Sequence, residues 1–172
     1  FGEYNDNRKT VGVLIMEKID GRSLAEIMEP RVEGEVPPLS LKRAKEILLE
    51  ICEVLEPMAD MNPPLFHRDL KPGNIIIAGE KRGAVLIDFG LARGVDTGFK
   101  FTKSQNAVSV GWAAPERANN EKTGHSIDVY SMGQLLWHMV TANLPLYSTE
   151  LTQEVREGIS ERGLPEWVAE LI

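Results

Sequence analysis

The segment from Ser126 to Val140 constrains the fold more than any other, because Ile127, Val129, Tyr130, Met132, Leu135, Leu136, Trp137, Met139 and Val140 leave it almost no polar face. A helix that is apolar nearly all round has to be surrounded by protein, so this one is expected at the centre, as a scaffold. A second helical pattern follows Pro37-Pro38. Ser40 can cap it, and Leu41, Ala44, Ile47, Leu48, Ile51, Leu55 and Met58 recur at three- and four-residue steps, so one face should lie on a core. With 172 residues, 42% hydrophobic and 26% charged, the chain can bury one substantial core, and a single domain is the economical reading.

Nineteen basic residues against 26 acidic ones give a net charge of -7, which argues against a nucleic-acid partner, since phosphate-backbone binders concentrate positive charge. The cluster Lys42, Arg43 and Lys45 reads as a solvated helix face. The single cysteine, Cys52, falls in the apolar helical pattern and has no partner for an internal disulfide, which points to a reducing, cytoplasmic setting, or to the cytoplasmic part of a larger protein. No apolar run reaches the roughly 18 residues that span a bilayer, so no membrane contact is expected from this chain. It starts at Phe1 and stops at Ile172 inside an amphipathic stretch beginning at Pro165, so both ends are expected to be cuts.

Two hairpins are legible. Phe1 to Tyr4 and the β-branched run Val11 to Met16 flank the turn Asn5-Asp6-Asn7-Arg8. Ile75-Ile76-Ile77 and Ala84-Val85-Leu86-Ile87 flank the turn-rich Gly79-Glu80-Lys81-Arg82-Gly83. If Ile75 pairs with Ile87, Asn74 and Asp88 stand opposite each other just beyond the strand ends, with α-carbons about 4.5 to 5.5 Å apart. One hard oxygen from each then reaches a common volume, an arrangement suited to Mg2+. On the hairpin alone, ordinary turn residues are the plainer reading of the two. The stretch from Gly94 to Asn106, rich in Gly, Thr, Ser and Lys, reads as the most flexible part of the chain.

Three segments alter that balance: His67-Arg68-Asp69-Leu70-Lys71-Pro72-Gly73-Asn74, then Asp88-Phe89-Gly90, then Ala114-Pro115-Glu116. In this order and spacing they resemble the catalytic loop, the metal-binding turn and the end of the activation segment of eukaryotic-type Ser/Thr protein kinases. The resemblance implies an α+β fold: the mainly helical large lobe of a protein kinase with a β-hairpin at the cleft, plus a remnant of the small-lobe sheet. Residues 1–16 would be small-lobe strands, 17–24 the hinge, and 25–172 the large lobe, truncated at its C-terminus. No glycine-rich phosphate loop and no Val-Ala-Ile-Lys strand precede Met16, so the polypeptide alone is expected to be inactive while its parent transfers phosphate.

By the same resemblance the cofactors are ATP and Mg2+. Asp69, Lys71 and Asn74 would be the catalytic residues, with Asp69 orienting the attacking hydroxyl and Lys71 stabilising the transferring phosphoryl group. Asn74 and Asp88 would hold the metal. Met16 would stand at the rear of the adenine pocket as gatekeeper, Glu17, Ile19 and Ser23 along its hinge, and Ile76 as its floor. Lys71 favours serine and threonine as acceptors in a protein substrate. Gly73 stands where relatives that prefer basic substrates often carry a carboxylate, so such a preference loses support.

His67 and Phe89 look like the lower members of the family's hydrophobic regulatory stack. Asp128 matches the aspartate that anchors the catalytic-loop backbone; a carboxylate favoured by the helix dipole is the plainer alternative. His125 and His138 show no metal-ligand spacing. Arg68 beside Asp69 implies control by a phosphate on the segment from Asp88 to Glu116, placed by an activating kinase or by autophosphorylation at Thr102 or Ser104, with Arg93 as a second basic partner. Ser109 keeps the hydroxyl of a family threonine that contacts Asp69 and Lys71, whereas Val108 replaces a frequent glycine. The rival to an active enzyme is a pseudokinase or scaffold that binds without catalysing. A small-molecule phosphotransferase is a third reading, disfavoured by Ala114-Pro115-Glu116.

Overall fold

A computed structural model describes the chain except residues 1, 7–8, 14, 30–37, 80–81, 90–92, 95–110, 116–123, 146–150 and 171, and gives the backbone alone for 2–6, 9–13, 93–94 and 151–152. Thr102, Ser104, Val108, Ser109, Glu116 and the Arg93 side chain therefore lie outside the described residues.

The expected central helix is there. Helix α3, Ser126–Thr141, buries residues on every side, among them Ile127, Leu135, Trp137, Met139 and Val140. Only its first turn departs from the expectation, since Val129 is 61% exposed. Its buried polar groups are all satisfied: Ser131 Oγ donates to the Trp112 carbonyl at 2.7 Å, and Thr141 Oγ1 to the Trp137 carbonyl at 2.7 Å. The helix stops at Ala142, whose left-handed backbone (φ 63°) lets its N–H close on the His138 carbonyl.

Helix α2, Leu41–Ala59, is capped by the Ser40 side chain, which accepts from the Arg43 N–H at 3.2 Å. It buries Ala44, Ile47 and Ile51 against α3 and the catalytic hairpin, and Met58 is buried near its end. Lys42 and Lys45 are exposed as expected, Arg43 pairs with Glu46 at 3.2 Å, and Cys52 is half-buried, its thiol pushed up in pKa by burial and by the nearby Glu56 carboxylate. Helix α4, Leu151–Glu161, contributes Val155 and Ile159 to the same core, and a 3-10 turn at Glu166–Glu170 adds Val168. Among the described residues no helix is long and apolar enough to cross a membrane.

The strands are short. β1 (Gly2–Asp6) and β2 (Lys9–Val13) form an antiparallel hairpin with Gly2 opposite Val13 and Asp6 opposite Lys9. Asn5 and Asp6, expected in the turn, are thus part of the ladder. β3 (Arg22–Ser23), β5 (Ile75–Ile77) and β6 (Ala84–Leu86) make an antiparallel sheet in the order β3-β5-β6. β4 (Leu65–Phe66) pairs separately with β7 (Arg93–Gly94). Helix α1, Leu24–Met28, follows β3 directly.

The catalytic hairpin has a different register from the expected one. Ile75 faces Leu86, not Ile87, and Ile77 faces Ala84. The loop decides this: Gly79 and Gly83 both take positive φ (83° and 65°), and the Ala78 N–H closes on the Gly83 carbonyl at 2.9 Å, which sets the pairing from the turn inward.

Candidate active site

The residue opposite Asn74 is therefore Ile87, whose N–H donates to the Asn74 carbonyl at 2.9 Å. Asp88 comes one residue later, with a left-handed backbone (φ 63°) and an exposed side chain. Aspartate tolerates this conformation better than most residues, yet it still costs about 1 kcal/mol or more and persists only where neighbours hold it. The Ile87 carbonyl accepts from His67 Nε2 at 3.2 Å, so residue 87 is tied by its two backbone groups to both ends of the 67–74 loop.

Three elements hold that loop. β4 delivers it, the 3-10 turn Pro72–Asn74 closes it into β5, and α3 supports it from beneath. The Asp128 carboxylate, buried at the start of α3, accepts the His67 N–H at 2.9 Å and the Arg68 N–H at 2.8 Å. This is the anchoring role expected of Asp128. Arg68 itself has φ 68°, a conformation that the two bonds stabilise.

Within the loop, Asp69 is the meeting point. Its carboxylate takes Lys71 Nζ at 2.7 Å, and Asn74 Nδ2 donates to its backbone carbonyl at 2.8 Å and to Oδ2 at 3.0 Å. Asp69 and Asn74 are buried and Lys71 is half-buried. With its nitrogen engaged, Asn74 has its amide oxygen as the remaining polar atom of the side chain. That oxygen and the Asp88 carboxylate are hard donors of the kind Mg2+ takes alongside phosphate oxygens and water, so the residues present fit this metal. Among the described residues no three His, Cys, Asp or Glu side chains form a complete protein cage.

His67 is fully buried and packs edge-on against Phe89, with ring centroids 4.9 Å apart, the contact expected of the regulatory stack. Its Nδ1 accepts the Asp69 N–H at 3.3 Å, which leaves Nε2 as the donor to Ile87. The ring is neutral in this arrangement, and burial holds its pKa below the ordinary histidine value. His138 is also buried, its Nδ1 2.7 Å from the Asn143 carbonyl and its ring edge-on to Trp112; His125 is exposed.

Of the residues expected at a nucleotide base, two are paired across the small sheet. Ser23 lies opposite Ile76 across the β3–β5 ladder. Gly21 runs so close to β5 that a Cβ there would sit 2.4 Å from the Ile77 carbonyl oxygen, so a side chain could not fit without displacing the strand. Ile19 is half-buried, while Met16, expected at the rear of the pocket, is 65% exposed. Glu17 forms a bidentate ion pair with Arg82 of the hairpin loop, at 2.6 and 2.9 Å, which holds its carboxyl below the usual range. The Ser23 hydroxyl accepts the Glu26 N–H while the Glu26 carboxylate takes the Ser23 N–H, a capping box at the start of α1. Ser-x-x-Glu at residues 23–26 is legible in the sequence as such a box.

A carboxylate, an ammonium and an amide thus converge on a loop anchored to a buried helix. The sequence matches the profile of the protein kinase domain over residues 3–168, and the chain belongs to that family. It is 35% identical over 150 residues to serine/threonine-protein kinase pkn2 of Myxococcus xanthus, covering 84% of this chain and 17% of that protein. It is 32% identical over 168 residues to serine/threonine-protein kinase PknB of Mycobacterium tuberculosis (strain H37Rv), covering 95% and 25% respectively, and 30% identical over 146 residues to the probable serine/threonine-protein kinase PknB of Corynebacterium glutamicum, covering 84% and 21%. The chain thus spans a quarter or less of the length of these relatives.

Proposed function

We propose that the full-length protein transfers the γ-phosphate of Mg-ATP to serine and threonine hydroxyls of protein substrates. The observation that carries this reading is the convergence of Lys71 and Asn74 on Asp69, within 2.7 to 3.0 Å, in a chain of the protein kinase family. The names of its relatives support serine and threonine as acceptors.

In this reading Asp69 Oδ2 accepts or orients the proton of the acceptor hydroxyl as its oxygen bonds to the γ-phosphorus, and the bond to the β-phosphate oxygen breaks to release ADP. Phosphoryl transfer depends chiefly on such alignment and on charge stabilisation, which Lys71 supplies as a positive point charge. Asn74 and Asp88 would hold Mg2+, whose contribution is to neutralise phosphate charge. Residues 17–19 and Ser23 along the β3 edge, with Ile76 beneath, would border the adenine, and Met16 would stand behind it.

Residues 1–16, 17–24 and 25–172 correspond to small-lobe strands, hinge and large lobe. The 172 residues contain no glycine-rich loop and no strand lysine before Met16, so alone they are expected to transfer little or no phosphate. Phosphorylation at Thr102 or Ser104, by the protein itself or by another kinase, would regulate through Arg68.

The test is γ-phosphate transfer by the full-length protein to matched Ser, Thr and Tyr peptides with and without Mg2+. Metal-dependent labelling of Ser and Thr peptides is expected. Labelling of Tyr peptides alone, or of none, would refute the proposal.

A further inference from the structure

The β5–β6 hairpin carries Asn74 at the entry of one strand and Asp88 just past the end of the other, so the seating of β6 sets how the two stand to each other. The Ile87 N–H goes to the Asn74 carbonyl and the Ala78 N–H to the Gly83 carbonyl, so the odd-numbered residues of this strand turn their backbone groups toward β5. Ala84 and Leu86 alternate with them and turn theirs outward. β6 is the outer strand in the order β3-β5-β6, and an outer strand presents such groups unpaired by its own sheet. Ala84 is buried, so its N–H needs a partner from elsewhere in the protein.

Glu50 is that partner. It lies on α2, three residues after Ile47 and one before Ile51, on the flank of the buried face that packs on β6. Its Oε2 accepts the Ala84 N–H at 2.5 Å, across 34 residues of sequence, in a half-buried setting. A bond from a charged acceptor holds its donor more strongly than a neutral one. The preceding residue makes room for it: a Cβ on Gly83 would sit 2.6 to 2.7 Å from all three atoms of the Glu50 carboxylate, which therefore lies broadside against bare backbone. The carboxylate could swing aside for a side chain only by releasing Ala84. A second tie on this loop, Arg82 to Glu17, is solvent-exposed, and exposed pairs hold little.

Small errors in the seating of β6 reach Asp88 directly. Both strands are three residues long, and a slip of one residue would bring Ile87 or Phe89 to the place of Asp88 and turn Ala84 and Leu86 off the buried face. The ladder and the glycine turn hold β6 from the side of β5. Glu50 holds it from the opposite side.

Resting on the phosphotransfer reading above, we propose that Glu50 is a positioning residue for the Asn74–Asp88 pair: from α2 it pins the outer edge of β6 and so sets where the Asp88 carboxylate stands. It acts through the backbone from residue 84 to 88, not by touching the reacting atoms.

The test compares Glu50→Ala and Glu50→Gln in the full-length protein, with Ile159→Val as a control that loosens the core at α4, which packs on α3 and the 3-10 turn. Alanine is expected to raise the Mg2+ concentration for half-maximal turnover about fivefold, below the roughly tenfold or more that follows loss of a group bonded directly to a metal ligand. The KM for peptide should stay within about twofold. Glutamine keeps an oxygen acceptor and should restore most of the Mg2+ response, and Ile159→Val should leave it unchanged. Amide hydrogen exchange on the metal-free protein is the second readout: residues 84–88 should exchange about tenfold faster in Glu50→Ala and near the wild-type rate in Glu50→Gln. Glu50→Asp, which draws the carboxylate back by one methylene, takes the place of alanine if that variant does not fold, and should change both readouts about threefold. Either readout at its wild-type value in the alanine or aspartate variant overturns the proposal, as does an equal change in Ile159→Val, while phosphotransfer stands. If the wild type transfers no phosphate, exchange decides: protection lost at residues 84–88 keeps the clamp and sinks the chemistry, and unchanged protection sinks both.

Discussion

The Asp128 carboxylate accepts the backbone N–H of Arg68 at 2.8 Å across 60 residues of sequence, and holds that residue in a left-handed conformation. The same carboxylate accepts the neighbouring N–H of His67. One side chain on the central helix thus fixes the backbone that aims Asp69.

Replacing Asp128 with alanine would orphan two donors, one of them buried, at a cost of about 1 to 3 kcal/mol each. The expected outcome is a loss of roughly 2 to 6 kcal/mol, read as a lower urea midpoint. A loss under about 1 kcal/mol would show that the loop does not depend on this anchor.

Burial keeps His67 and His138 neutral, with pKa values below the ordinary value of about 6.5. Below that ordinary value the unfolded chain takes up protons that the folded chain resists, so stability is full above about pH 6.5 and falls as the pH drops through it. The urea midpoint should be lower at pH 5.5 than at pH 7.5, and His67→Gln should shrink that difference. Equal midpoints at both pH values would contradict the buried, neutral assignment.

Two glycines should respond oppositely to alanine. At Gly158, on α4, a Cβ would lie 2.3 Å from the Trp137 ring inside the core, so Gly158→Ala is expected to destabilise by about 1 to 3 kcal/mol. At Gly73 nothing obstructs a Cβ, and Gly73→Ala should leave stability unchanged or raise it by up to about 1 kcal/mol through the unfolded state. Thermal melts of both variants check the pair, and the reverse ordering would refute the packing.

Residue types carried much of this structure. Helix α3 was legible because an all-round apolar pattern admits one placement, and α2 because Ser40 and the spacing from Leu41 to Met58 mark its start and its buried face. Asp128 was legible only through resemblance, since nothing local tells a dipole-stabilised carboxylate from an anchor 60 residues away. The hairpin register was missed by one residue, because counting inward from Ile87 ignored the pairing of Ala78 with Gly83 that the glycine turn imposes. Helix α1 was missed because Leu24–Met28 is too short to show a period. The joining of Asn74 to Asp69 depends on a side-chain rotamer that no pattern encodes.

The most direct measurement of the central claim is the turnover of Asp69→Asn in the full-length protein, under saturating Mg-ATP and a serine peptide. Asparagine preserves shape and removes the proton acceptor, so kcat is expected to fall about 10²- to 10⁴-fold with the KM for ATP nearly unchanged. Turnover within twofold of wild type would contradict the account.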